Sequence, residues 1–311
     1  MRSVLFYRDF YGFAGGHLKV WDYFSHVAAS GDHEPRICFP PGAHWDESNP
    51  WLPLRGAVQA AWRDVRPDVY FLGGLDWNVM DAAQREANTV PVINLVQHVR
   101  HGWRDDPRFA FLRHRAVRIC VGEEIRASIA ATGRVNGPVF VIPLGLDLAQ
   151  RAAPPEGAAR DIDLLIAALK QPALGAQLAQ LLRRQGRRVE LSDTLRPRRE
   201  YLEQVARARV TVFLPNPAEG VYVPPLEGMA LGTLVVCPDV PGTEYDRDGY
   251  NCLRPPYSAE ALRDAAERAL ALDEGARRRM LSNAAATVAK QDLAEERAQF
   301  LAILRNLKAL W

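Results

Sequence analysis

Two carboxylates flank the start of a short helix in the second half of the chain. The segment Phe213–Val236 reads as a strand, a polar loop, a helix opened by Pro224 and Pro225, and a second strand. A proline fits the first helical turn, where a missing N–H costs nothing. The amides of Val221, Tyr222 and Val223 would then converge on a helix N-terminus, a place that favours phosphate. Glu219 falls on the loop and Glu227 in the first turn, so their carboxylates reach different parts of one ligand lying along that terminus. The Glu-x7-Glu spacing alone carries little weight, since two solvated carboxylates beside a helix would look the same.

Elements of two kinds must position these groups. Short apolar runs alternate with amphipathic stretches, which argues for parallel sheets flanked by helices. In the first half the expected strands are Val4–Tyr7, Val69–Leu72, Val92–Val96, Ile119–Val121 and Val139–Ile142, with helices over Gly16–Ala29 and Ala82–Ala87. Arg151–Ala159, rich in Pro, Gly and Ala, reads as a linker. The alternation then restarts with strand Ile162–Ala167, helix Ala173–Gln185, strand Val189–Leu191, helix Glu200–Ala208 and strand Val210–Leu214. Helix Pro224–Leu231 leads to strand Thr233–Cys237, and the chain from Ser258 onward is almost wholly helical. The division expected is 1–150, 151–292 and a final helix over 293–311 that crosses back onto the first domain. Ligands of doubly wound folds bind at the carboxyl ends of the strands.

Composition excludes several classes. With 311 residues, 48% hydrophobic and 24% charged, the chain is long enough for two ordinary domains of a globular protein. A formal net charge of +2 implies no polyanion-binding surface, and so no nucleic acid. Cys38, Cys120, Cys237 and Cys252 are scattered without CxxC spacing, so neither a zinc site nor a disulfide framework is expected. The start runs straight into a strand-like segment rather than a signal peptide. No apolar run approaches the ~20 residues that span a bilayer. The chain reads as cytoplasmic, with peripheral contact at the inner membrane left open. Gly12-Phe13-Ala14-Gly15-Gly16 stands where a dinucleotide fingerprint would be, which argues against an NAD enzyme.

The string from Glu219 to Val236 resembles the signature of family-4 retaining glycosyltransferases of the GT-B fold. Glu219, Gly220, Pro225, Leu226, Glu227, Met229, Ala230, Gly232, Val235 and Val236 match it. Val139–Asp147, Gly15-Gly16, the strand Pro91–His98 and Asp248–Leu253 are similar to further segments of that family. The resemblance implies two Rossmann-like domains facing a central cleft, and transfer of a sugar from a nucleotide-diphosphate donor of the UDP, GDP or dTDP type. It implies a glycan or glycolipid acceptor, neither metal nor cofactor, and no covalent nucleophile.

Roles follow from the same likeness. Lys170, the Gly16 N–H beside Gly15, and the Val221–Val223 amides next to Gly220 would meet the diphosphate, whose charge grows as the sugar leaves. Glu227 would accept from the ribose hydroxyls, Glu219 from the sugar hydroxyls, and His98 would touch the sugar. Two positions depart from the family. Leu165 stands where an Arg usually precedes the Lys, and Arg196, Arg198 or Arg199 could substitute. Val221-Tyr222 replaces Phe-Gly; the Tyr222 ring either points out of the cleft or fills part of the sugar pocket, favouring a smaller or deoxygenated sugar.

Some features admit a plain reading. His98 and His101 lack a third zinc ligand, and Asp161-Ile162-Asp163 spells a metal-binding DxD yet opens a strand. Arg183, Arg184, Arg187 and Arg188 suit a helix C-terminus. Trp45 and Trp51, on a Pro-rich loop, suit either stacking on a sugar or packing of the loop itself. The rival activities are a nucleotide-sugar epimerase of the same fold and a non-catalytic binding protein.

Overall fold

The computed structural model describes residues 1–12, 15–58, 61–62, 64–87, 89–146 and 160–311. It divides into two units, Met1–Leu144 with Leu293–Trp311, and Gly145–Asp292. The expected linker, Arg151–Ala159, and the boundary at residue 150 lie outside the described residues, as do Phe13 and Ala14.

The first unit is a six-stranded parallel sheet in the order β2-β1-β3-β4-β5-β6. Its strands are β1 (Arg2–Tyr7), β2 (His33–Cys38), β3 (Val69–Gly73), β4 (Val92–Val96), β5 (Val117–Cys120) and β6 (Val139–Val141). The helices are α1 (Gly15–Ala28), α2 (Arg55–Val58), α3 (Ala82–Ala87) and α4 (Glu123–Ala130). Strand β2 escapes sequence reading because His33-Glu34-Pro35-Arg36 is polar and carries a proline. It lies at the sheet edge, paired only with β1, where a missing N–H is tolerated.

The second unit is a four-stranded parallel sheet, β10-β9-β7-β8. Its strands are β7 (Ile162–Ala167), β8 (Val189–Ser192), β9 (Ala208–Phe213) and β10 (Leu234–Val236). Helices α5 (Pro172–Arg183), α6 (Arg198–Arg207), α7 (Pro224–Ala230), α8 (Ala259–Leu270) and α9 (Glu274–Val288) flank it. Both faces of the sheet are covered, and β7 and β10 carry the apolar runs this demands. Leu164, Ile166, Val210, Val212 and Val236 meet α5 and α8 through Leu178, Leu182, Leu262 and Ala266. Leu165 faces the other way, against Leu202, Val205 and Leu231.

Helices α10 (Leu293–Arg305) and α11 (Leu307–Leu310) belong to the first unit. Phe300 of α10 meets Tyr23 of α1 edge-on, with ring centroids 4.8 Å apart, in a core that includes stacked Phe6 and Phe71. A buried ion network sits beside it. Lys19 Nζ donates to both Glu296 oxygens at 2.8 and 3.0 Å, Asp22 lies 2.8 Å from the same ammonium, and His26 Nε2 is 3.0 Å from Glu296. Among the described residues no helix is long and apolar enough to cross a membrane.

Glu296 is 1% exposed, so removing it takes from a buried ammonium the carboxylate that accepts two of its bonds. Breaking a buried pair by deleting one partner costs about 3–5 kcal/mol. Glu296→Ala should lower the unfolding free energy by that order, seen as a fall in the urea midpoint at unchanged m. A midpoint within experimental error of the parent would show that the network does not anchor α10.

Candidate functional site

The carboxyl ends of β7 and β9 carry the charged groups of the second unit. After β7 the chain turns through Leu169 and Lys170 into α5, which Pro172 opens. After β9 it runs through a loop to Glu219 and then α7. Lys170 Nζ donates to both carboxylate oxygens of Glu219 at 2.7 Å. The Asn216 amide gives Glu219 a further bond at 2.8 Å, and Glu219 is only 8% exposed. The two residues assigned separately to phosphate and sugar are therefore one ion pair here.

A second segment, Pro241–Tyr245, clamps this loop. The Glu219 N–H donates to the Pro241 carbonyl at 3.1 Å and the Tyr222 N–H to the Gly242 carbonyl at 2.9 Å. The Tyr245 hydroxyl donates to the Tyr222 carbonyl. Gly242 has φ +93°, and a Cβ there would fall 2.4 Å from the Gly220 carbonyl oxygen, so only glycine lets the two backbones approach.

One expectation for Tyr222 is corrected, and one of the two open readings of its ring falls. Its amide is not offered at the helix N-terminus, because Gly242 accepts it. Its ring does not point outward: the side chain is buried at 5% exposure, with the Lys170 ammonium 5.0 Å from the ring centroid. Burial pushes its phenol well above the ordinary range, with Tyr201 the next contributor.

Glu227 is buried in the first turn of α7, and Arg198 Nη2 donates to it at 2.5 Å from the first turn of α6. Of the three arginines left open by the sequence, Arg198 alone reaches a predicted site residue. Arg199 pairs outward with Glu203 at 2.8 Å, and Arg196 is exposed. Burial also raises the Tyr201 phenol, with the Glu227 charge next among the causes. Lys170 thus faces Tyr222, and Arg198 holds Glu227.

In the first unit, Gly15 and Gly16 open α1, and the Gly16 carbonyl accepts from Gln97 Nε2 at 3.4 Å. His98 follows β4 and caps a 3₁₀ turn, its Nδ1 accepting from the Arg100 amide at 3.1 Å. His101 is buried, and burial lowers it to about 3, so its ring is neutral. A cluster missed by the sequence reading stands at the ends of β1 and β3. Arg8 donates through Nη1 to Asp76 and through Nε to His17 Nδ1, both at 3.0 Å. Burial lifts the Asp76 carboxyl to about 7, and burial with the Arg8 charge lowers His17 to about 4. The available signal was the charged pair Arg8-Asp9 directly after a strand.

Trp51 is not a stacking platform. It is fully buried among Trp21, Phe24 and Phe39. One face of Trp45 is covered by the Arg55 guanidinium at 4.5 Å. Asp161 pairs with Arg207 at 2.6 Å, and Asp163 with Arg188 at 2.9 Å and Arg209 at 3.5 Å. Arg187 pairs with Glu267 at 2.6 Å. Among the described residues no three His, Cys, Asp or Glu side chains gather to hold a metal ion.

Comparison with known proteins agrees with this layout. A family model described as glycosyl transferases group 1 matches residues 128–272. No curated protein matches the chain by sequence. Among solved structures, Anabaena HepE in complex with UDP and glucose superposes with a TM-score of 0.77 at 15% identity, over 98% of this chain and 100% of its own. Sucrose-phosphate synthase from Thermosynechococcus elongatus gives 0.73 at 15%, over 99% and 100%. A UDP-forming α,α-trehalose-phosphate synthase from Burkholderia vietnamiensis gives 0.69 at 13%, over 99% of both chains. The fold is therefore GT-B, with two Rossmann-like parallel-sheet domains.

Beneath the clamp lies Asp246, 2% exposed, facing Arg254 and the thiols of Cys237 and Cys252. Burial lifts its carboxyl to about 7, against Arg254, which lowers it. Between about pH 4 and pH 7 the unfolded chain has released this proton and the folded one has not, so the group makes stability fall as pH rises through that window. Asp246→Asn removes the charge at nearly constant shape. The variant should gain on the parent from pH 4 to pH 7, by roughly 1–4 kcal/mol. Parallel melting curves that keep a constant separation over this range would contradict the assignment.

Proposed function

We propose that this protein is a retaining glycosyltransferase that moves a sugar from a nucleotide-diphosphate donor to a glycan, lipid-linked or small-molecule acceptor, without a metal ion or cofactor. The observation that carries the reading is the ion pair between Lys170, after β7, and the buried Glu219, on the clamped loop after β9, with Glu227 buried in the first turn of the helix that follows. The family match over residues 128–272 spans this loop. HepE has been solved with UDP and with UDP-glucose, which makes a uridine donor the first to try.

Breaking the bond between the anomeric carbon and phosphate oxygen leaves negative charge on the nucleotide diphosphate. Lys170 neutralises that charge as it develops, and its effect is greater in the transition state than in the ground state. Arg198 supplies the second cation that Leu165 does not. Glu219, with Gly220 and Val221 beside it, receives the sugar hydroxyls. Glu227 takes the ribose hydroxyls, a role in which Arg198 orients the carboxylate and leaves one oxygen for the ligand. In the first unit, Gly15, Gly16 and His98 serve the donor, and the acceptor belongs to that side. The acceptor attacks on the face from which the leaving group departs, so configuration is kept without a covalent intermediate.

A thermal-shift panel of UDP, GDP, dTDP, ADP and CMP tests the reading first. A nucleotide at 100 times its dissociation constant stabilises by ~2.7 kcal/mol. Glu227→Ala should weaken the preferred nucleotide diphosphate by roughly 1.5–3 kcal/mol in calorimetry, through lost hydrogen bonds to a charged group. Unchanged affinity would remove Glu227 from the site.

Turnover tests the chemistry. Lys170→Ala alone strands the Glu219 carboxylate, so the informative protein is Lys170→Ala with Glu219→Gln, which leaves no unpaired charge. It should fold near the parent's stability and lose at least about tenfold in kcat/KM, the equivalent of ~1.4 kcal/mol of transition-state stabilisation. Parental turnover in that variant would exclude the ion pair from the reaction. Activity abolished by EDTA and restored by magnesium would refute metal independence.

A further inference from the structure

Lys170 is held from two sides, and only one of them is a carboxylate. Glu219 takes two of its three N–H donors at 2.7 Å. The other side is the face of the Tyr222 ring, 5.0 Å from ammonium to centroid, within the range where a cation is drawn to an aromatic quadrupole. The residue that bears the ring is fixed at its backbone and buried. Its own N–H is bonded to Gly242, its carbonyl receives the Tyr245 hydroxyl, and the side chain is buried.

We propose that Tyr222 is a positioning residue for Lys170, a fixed aromatic seat that places the ammonium for the donor's diphosphate. The inference rests on the transferase reading for its purpose, but not for its geometry. A lysine is a compact charge on a flexible four-carbon stem, and this one is about a third exposed. Held by Glu219 alone, it would follow whichever anion approached. The π face attracts the charge without accepting a localised hydrogen bond, so the third N–H stays directed toward a phosphate oxygen. The seat matters more here because Leu165 supplies no second cation from β7, and a glycine at position 222 would provide no ring.

The chain has only four lysines, Lys19, Lys170, Lys290 and Lys308, so the ammonium can be observed directly. With lysine labelled at 15Nζ, Lys170 is assigned from the signal lost in Lys170→Arg. Its ammonium protons should lie upfield through the ring current in the parent and in Tyr222→Phe, and move downfield in Tyr222→Leu. Tyr222→Met, also ringless, serves if the leucine variant does not fold. A Lys170 signal that does not move in the ringless variant overturns the seat. With the donor identified by the nucleotide panel, the ringless variant should lose about tenfold in kcat with a smaller change in donor KM, and Tyr222→Phe should recover most of the loss. Full turnover without the ring, or no recovery with phenylalanine, overturns the positioning role. A parent protein inert toward every nucleotide sugar overturns the transferase reading alone, and the NMR comparison still decides the seat.

Discussion

Burying a charge costs several kcal/mol unless it is paired and hydrogen-bonded. The Lys170–Glu219 contact meets that condition for a carboxylate at 8% exposure, and much of the second unit is arranged around it. The pair joins the turn after β7 to the loop after β9, two segments adjacent in the sheet but far apart in sequence. The backbone bonds from Glu219 and Tyr222 to Pro241 and Gly242 then fix the loop from its far side. Without the cation the loop would hold a desolvated charge. Without the clamp the carboxylate could escape to water and the lysine with it.

The helices that carry these groups are placed by close contacts of another kind. In α5 a Cβ on Gly175 would stand 2.3 Å from the Ala168 Cβ, and in α7 a Cβ on Gly228 would stand 2.8 Å from the Phe213 ring. Both helices therefore lie nearer the sheet than any side chain permits, which sets the height of Lys170 and Glu227 above the strand ends. Arg160 works at the opposite ends of α6 and α7, donating to the carbonyls of Ala206, Ala208 and Leu231. Holding the two C-termini together aligns the first turns, where Arg198 meets Glu227. In the first unit Arg118 has a similar part, buried in β5 and donating to the carbonyls of Phe111, Leu112, His114 and Asn136.

The fold was largely legible because buried parallel strands are mostly apolar runs and their helices have a 3.6-residue stripe; nine of the ten described strands were expected, although β8, Val-Glu-Leu-Ser at a sheet edge, alternates. The tenth, β2, is polar because an edge strand has one neighbour and one open side. Glu219, Glu227 and Lys170 stood out through local motif and spacing. What spacing could not show was pairing: that Lys170 would meet Glu219 across 49 residues, or that Arg198 rather than Arg196 or Arg199 would turn inward. Those facts depend on helix phase and strand order. Trp51 stayed undecided for a related reason, since an aromatic in a Pro-rich loop reads the same whether the loop exposes it or folds over it.

The two departures from the family signature have a common physical basis. Leu165 points to the α6 side of β7 and packs on Leu202 and Val205, so a guanidinium there would have to leave a filled apolar layer. Under the proposed function, the second cation comes from a neighbouring element. The element packed on Leu165 is α6, whose first turn bears Arg198. One cation then arrives from α6 on a long planar fork that Glu227 can hold, while the other remains a single flexible ammonium. That ammonium has lost its companion from β7, and the ring beneath it restricts its freedom without neutralising its charge. On that reading, leucine at 165, arginine at 198 and tyrosine at 222 belong together: the first fills the layer under α6, the second meets Glu227 from α6, and the third faces the Lys170 ammonium.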